Sequence, residues 1–189
     1  VPELFRGVGS GLPDVKSVVQ QSVQRLLGLQ LPHGGFGFWP DDQRAHPFGS
    51  AYATWILFKA AQAGHSVLSD SLQRATAYLQ RLLASPQPGT EGQLLEPVTA
   101  AQAIMLARRE AEQPGSTVTP LSFDYFDNTQ RALTAFVLAE MGQPNPAANG
   151  VLFGNRATLP LFARALLLMT LHKTAPDDLR VATLTEEIL

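Results

Sequence analysis

Two kinds of apolar segment alternate along this chain, and the alternation restricts what it can fold into. Val15, Val18, Val19, Val23, Leu26 and Leu27 recur at three- and four-residue spacing, with Gln20, Gln21, Gln24 and Arg25 on the other side. That spacing predicts a helix with a single buried stripe. The next segment, 51–58, reads Ala-Tyr-Ala-Thr-Trp-Ile-Leu-Phe and is apolar on nearly every side, so as a helix it must be covered all round. Ser50 is its expected cap and Gly64 its expected stop. After a fresh cap at Ser69 the one-sided pattern returns with Leu72, Ala75, Thr76, Leu79, Leu82 and Leu83.

The later chain repeats the scheme. Residues 85–92 are rich in Pro, Gly, Ser and Thr and read as a linker, and 98–107 follow Pro97 as an almost uniformly apolar segment. Asp127 is placed to cap the apolar run 132–138, which Gly142 closes; 145–153 reads as a short outer helix or coil. Thr158 and Pro160 open 161–169, apolar but for Arg164, and Pro176-Asp177 opens a last helix with Val181, Leu184 and Ile188 on one side. The first 11 residues, with Gly7, Gly9 and Gly11, form an irregular lead-in. No segment shows convincing β-type alternation.

Helices that are apolar all round have neighbours on every side, and one-sided helices have them on one. A double-layered ring or solenoid needs both kinds. Four inner helices are predicted, at 51–58, 98–107, 132–138 and 161–169. No tight sequence repeat accompanies them, which favours an α/α toroid over a TPR-like array. The fold expectation is therefore an all-α, incomplete α/α toroid. It occupies 1–189 as one helical domain, since 189 residues with 45% hydrophobic and 16% charged supply one sizeable core. The flank of its last inner helix should be left open. It would be covered by a second copy in a dimer, by a neighbouring molecule, or by a rearrangement that closes the gap.

The densest local signal is the turn at 29–40, Leu-Gln-Leu-Pro-His-Gly-Gly-Phe-Gly-Phe-Trp-Pro. Gly34, Gly35 and Gly37 permit backbone angles other residues avoid, and Phe36, Phe38 and Trp39 bring three rings, each contributing roughly 1.5–3 kcal/mol if fully buried. The turn reads as a plug at the end of a helical pair, with a ligand-stacking platform as the alternative. Trp39, Tyr52, Trp55 and Phe58 are expected to be mostly buried, and Gln20, Gln24, Arg25, Arg74 and Arg81 to face solvent.

Composition removes several function classes. A net charge of −2, with 14 scattered Lys and Arg residues, provides no basic face for nucleic acid or an anionic membrane. The absence of cysteine excludes disulfides, a thiolate nucleophile and cysteine-ligated zinc within this chain. No apolar run is long enough to span a bilayer, and the start at Val1 reads as a processed or excised piece.

The candidate chemical groups each have a structural reading. Asp41, Asp42 and His46 could form a loop metal site, but a solvated loop also accounts for them. His33 and His65 fall in turns, and His172 ends an inner helix, where a cation complements the helix dipole. Asp124 and Asp127, flanked by aromatics, are the one attractive carboxylate pair for an inverting glycosidase, although Asp127 directly precedes a helical run and suits a cap.

Ser-Val-Gln-Arg-Leu-Leu-Gly-Leu-Gln at 22–30, Gly-Gly-Phe-Gly-Phe-Trp-Pro at 34–40, Ser-Ala-Tyr-Ala at 50–53 and Ala-Gly-His-Ser-Val at 63–67 together resemble the thioester domain of bacterial alpha-macroglobulins. The stretches 135–142 and 159–167 fit the same family's later inner helices, so the likeness covers nearly the whole chain and is most specific at 22–67. The resemblance implies an α/α toroid within a periplasmic or secreted inhibitor that traps attacking proteases covalently through a Cys-Gln thioester after a bait region is cut. It implies partners of two kinds: proteases, and the neighbouring macroglobulin-like domains of the parent chain.

This sequence departs from that pattern at the decisive point, because a thioester needs a cysteine sulfur acylated by a nearby glutamine side chain, and there is no cysteine. The family's Cys-x-Glu-Gln would lie upstream of Val1 or be lost altogether. No histidine occurs at 96–101, the stretch matching the activating histidine of complement-type relatives, so a parent thioester should prefer amines. Toroidal enzymes fit less well. Asp41-Asp42 and Asp177-Asp178 are not the DxDD acid of terpenoid cyclases, and the zinc-binding cysteine of protein prenyltransferases is missing. The expectation is a non-enzymatic module with no catalytic, cofactor-binding or metal residues and no cofactor. A toroid hydrolase and a non-covalent interaction module are the alternatives.

Overall fold

A computed structural model describes residues 14–84 and 126–188. The expected lead-in, the linker at 85–92, the inner helix at 98–107 and Asp124 lie outside the described residues. The elements are α1 (Val15–Leu27), α2 (Pro47–Gln62), α3 (Ser69–Ala84), α4 (Asn128–Glu140), α5 (Pro146–Gly154), a 3-10 turn (Arg156–Thr158), α6 (Leu161–Thr174) and α7 (Leu179–Ile188). Among the described residues the only β-type pairing is an isolated bridge between Gln30 and Phe36. The architecture is all-α, as the alternation of apolar patterns predicts.

The helices form two layers. α2, α4 and α6 lie side by side, with α4 packed against both neighbours; α3 covers α2 and α4, α5 covers α4 and α6, and α7 covers α6. Every described segment that the sequence reads as apolar all round is in the first layer, and the one-sided segments are in the second. Coverage is most complete at α4, where every residue from 131 to 139 is buried, Arg131 included. Burial in this apolar setting pulls the Arg131 guanidinium below its ordinary range. It lies 4.7 Å from the centre of the Phe126 ring and donates to the Leu83 carbonyl.

Helix ends follow the predicted chemistry in part. The Asp127 carboxylate accepts from the Gln130 N–H at 2.8 Å, and Asn145 likewise accepts from Ala148 ahead of Pro146, making α5 a helix rather than a coil. Gly64 and Gly142 end α2 and α4 with φ of 84° and 76°. The expectation for Ser50 is wrong. α2 starts at Pro47, its cap is the His46 imidazole accepting from Gly49 N–H at 3.1 Å, and Ser50 is buried inside the helix. His46 takes this place because Pro47 presets the first helical turn.

The one-sided stripes differ in completeness. On α3, Ala75, Thr76, Leu79, Leu82 and Leu83 are buried as expected, and Leu184 anchors α7. On α1, Val23 is buried but Val15 and Val18 are exposed. Gln20 is only partly exposed, and its amide makes two 2.9 Å hydrogen bonds to the backbone of Ser66, donating to the carbonyl and accepting from the N–H. That pair ties α1 to the loop between α2 and α3. Gln24, Arg25, Arg74 and Arg81 are exposed.

Candidate functional site

The glycine-rich turn is built around Phe36, which is 2% exposed and packs with Val23, Ala53, Leu57 and Ala75 from three helices. Its backbone is stapled to the start of α2: the Phe36 N–H donates to Ser50 Oγ at 2.8 Å, and its carbonyl accepts from the His46 N–H at 2.8 Å. This accounts for Ser50, since a hydroxyl buried at that position satisfies the turn's backbone rather than its own helix end. On the other side, Gln30 donates to the Ser71 carbonyl at 2.9 Å, and Arg81 donates to the His33 carbonyl at 2.6 Å. Gly34 has φ 98°, and a Cβ there would come within 2.1 Å of the Arg74 carbonyl oxygen, so turn and α3 touch backbone to backbone.

The plug is one ring, not three. Trp39 is 72% exposed and Phe38 half exposed, which corrects the expectation of a buried aromatic group. The physical reason is Asp42, whose Oδ2 accepts from both the Phe38 and Trp39 N–H groups at 2.7 and 2.9 Å. The loop tip is closed by hydrogen bonds to a carboxylate and does not need its rings inside. Tyr52, expected to be buried, is 50% exposed on the outer flank of α2; Trp55 and Phe58 are half-buried, with Trp55 edge-on to Phe136.

These bonds engage the groups that could have carried chemistry. Asp42 holds the loop, His46 caps α2 and lies tilted against Phe38 with ring centres 4.3 Å apart, and His33 stacks on Tyr78 at 5.3 Å. Among the described residues no three His, Cys, Asp or Glu side chains come together in a way that could hold a metal ion, so Asp41, Asp42 and His46 are not a metal set. Asp127 is a helix cap, and its glycosidase partner Asp124 lies outside the described residues. The Asp178 carboxylate accepts from Nε and Nη2 of the Arg180 guanidinium and from the Arg180 N–H, which hold its carboxyl down at about 2. His65 follows the Gly64 turn, and His172 sits in the last turn of α6.

A charged cluster that sequence reasoning missed joins the inner layer. Glu140, 13% exposed at the end of α4, receives Lys59 from α2 and Lys173 from α6, each at 2.5 Å. All three residues lie at C-terminal ends, so the inner helices run parallel. The two lysines complement the negative helix ends and offset the misplaced carboxylate of Glu140. Hydrogen bonds from Lys173 and then Lys59 hold the Glu140 carboxyl below its ordinary range. The available signal was a charged residue in the last turn of each of these apolar helices, Lys59, Glu140 and Lys173.

Among the described residues the inner layer exposes apolar side chains at both of its ends. Phe48, Tyr52 and Ile56 form an exposed i, i+4, i+8 stripe on α2, and Leu161, Phe162 and Met169 are exposed on α6, where the open flank of the last inner helix was expected. Among the described residues no helix is long and apolar enough to cross a membrane.

No protein-family model matches the chain. In sequence it is 36% identical over 66 residues to an alpha-2-macroglobulin homolog of Nostoc sp. (strain PCC 7120 / SAG 25.82 / UTEX 2576), and 31% identical over 71 residues to alpha-2-macroglobulin of Escherichia coli (strain K12). These stretches are 34% and 38% of this chain and 4% of each relative's length. In structure it is similar to native E. coli alpha-2-macroglobulin spanning domain MG7 to the C-terminus, with a TM-score of 0.65 and 20% identity, over 92% of this chain and 23% of that one. Salmonella alpha-2-macroglobulin reacted with methylamine gives a TM-score of 0.66 and 21% identity, over 92% of this chain and 10% of that one. The chain thus shares its helical fold with a region of bacterial alpha-2-macroglobulins and has its sequence relatives among proteins of that kind.

Proposed function

We propose that this chain is the thioester-type toroid module of a bacterial alpha-macroglobulin-like inhibitor that traps attacking proteases in the periplasm or outside the cell. The observation that supports the reading is the likeness in fold of more than nine-tenths of the chain to part of native E. coli alpha-2-macroglobulin between domain MG7 and the C-terminus. The module is not itself an enzyme. Its partners are proteases, met through the parent protein, and the parent's neighbouring macroglobulin-like domains. The two exposed apolar flanks suit such packing, and a second copy is the alternative occupant.

Any covalent step would need a cysteine that these 189 residues do not contain, because acyl transfer from a thioester requires a thiol to leave. An amine nitrogen attacks the thioester carbonyl, the carbon–sulfur bond breaks, and the cysteine thiol is released as the new amide forms. The 189-residue chain is therefore expected to be inert toward methylamine and to form no protease adduct. The test is to identify the parent sequence ahead of Val1 and, if a Cys-x-Glu-Gln stands there, to weigh the extended protein before and after methylamine treatment. A mass gain of one methylamine with one newly titratable thiol supports the covalent trap. A parent without that cysteine leaves steric or non-covalent trapping, and a parent unrelated to protease inhibition overturns the reading.

A further inference from the structure

We propose that Asn149–Gly150 is a spontaneous modification site that the folded chain holds closed, a deamidation site opened only when α5 unwinds. Of the four asparagines, at 128, 145, 149 and 155, only Asn149 is followed by glycine. With no side chain at Gly150, its backbone nitrogen can reach the Asn149 carboxamide more easily than at any other asparagine in the chain. The nitrogen, giving its proton to solvent, attacks Cγ; the carbon–nitrogen bond of the amide breaks, ammonia leaves with that proton, and a five-membered succinimide remains. Water then opens either succinimide carbonyl to give aspartate or isoaspartate. One water is consumed and one ammonia is released, with no oxidant or cofactor.

Folding opposes each step. Asn149 is 2% exposed and lies in the middle of α5, whose helical backbone keeps the Gly150 nitrogen turned away from its side chain. The closure is weak, however. α5 has nine residues, two of them the glycines at 150 and 154. A Cβ at either glycine would meet nothing within 4 Å, so packing requires neither, and both lower helix stability. The helix depends on its Asn145 cap, on Pro146 and on the burial of Leu152. Asn149 Oδ1 has no hydrogen-bond partner. A carboxylate in its place would be buried without a donor, so a modified chain would resist closing α5 again.

The test follows acid-for-amide conversion at Asn149 by peptide mass in mildly alkaline buffer, in native and urea-unfolded chain. The unfolded chain is expected to convert at Asn149 before any other asparagine, and the native chain at least about tenfold more slowly, in proportion to its open population. Asn145→Ala should raise the native rate about fivefold, the effect on opening of losing a capping side chain. Gly150→Ala should slow conversion strongly in both states while leaving helix content and thermal melt intact or improved. Equal native and unfolded rates would overturn the proposal. So would an unfolded chain that spares Asn149, or an Asn145→Ala chain that melts earlier yet converts no faster.

Discussion

α2 and α4 look alike in sequence and differ in what surrounds them. Both are runs of small and large apolar residues with no polar face, yet α4 is buried at every position from 131 to 139 whereas α2 leaves Phe48, Tyr52 and Ile56 exposed. The difference is position in the layer. α4 lies between α2 and α6 and beneath α3 and α5, whereas among the described residues α2 packs against α1, α3 and α4 and leaves one stripe exposed. An all-round apolar pattern thus states how much covering a helix can use, and the number of neighbours decides how much it receives.

The sharpest way to break that comparison is to remove the same kind of side chain from both helices. Leu138→Ala, at a fully buried site in α4, should destabilise the chain by about 3–4 kcal/mol, and Ile56→Ala on the exposed stripe of α2 by less than about 1 kcal/mol. Urea midpoints that fall together would erase the distinction. The turn allows a parallel contrast between glycines. Gly34→Ala meets the Arg74 backbone and should cost about 2–3 kcal/mol, whereas Gly64→Ala, with positive φ but open space, should cost about 1 kcal/mol.

A smaller effect is expected from Glu140→Gln, about 1 kcal/mol in neutral buffer, since both lysine partners are substantially exposed. Its pH dependence has a definite sign. The Glu140 carboxyl is held below its unfolded value, so its contribution is fully present above about pH 4.3 and is lost as pH falls through the folded value. The melting difference between wild type and Glu140→Gln should therefore shrink on acidification below pH ~4. Growth of that difference would reject the assignment. The smallest effect is that of Trp39→Ala. A ring 72% exposed on a loop held by Asp42 should change stability by no more than about 0.5 kcal/mol.

Layering was legible in the sequence because burial on one side or on all sides leaves a periodic trace, and Asp127, Gly64 and Gly142 sit where local backbone chemistry places caps and stops. What was not legible depended on partners distant in the chain. Nothing near Trp39 shows that Asp42 makes ring burial unnecessary, and nothing near Ser50 shows that its hydroxyl serves Phe36, 14 residues earlier. Gln20 reads as a solvated residue until the backbone of Ser66 arrives 46 positions later. The Glu140 cluster needed three parallel helix ends in register, which a single segment cannot reveal.

Native-state hydrogen exchange tests most directly whether neighbours rather than composition set the hierarchy. Amides of α4 should exchange only through global unfolding, with the same denaturant dependence as the overall transition. Those of α1, held by Val23 and the Gln20–Ser66 pair, should exchange through local opening that denaturant barely affects. Exchange from α4 as fast as from α1, with no dependence on denaturant, would contradict a molecule organised around one fully covered helix.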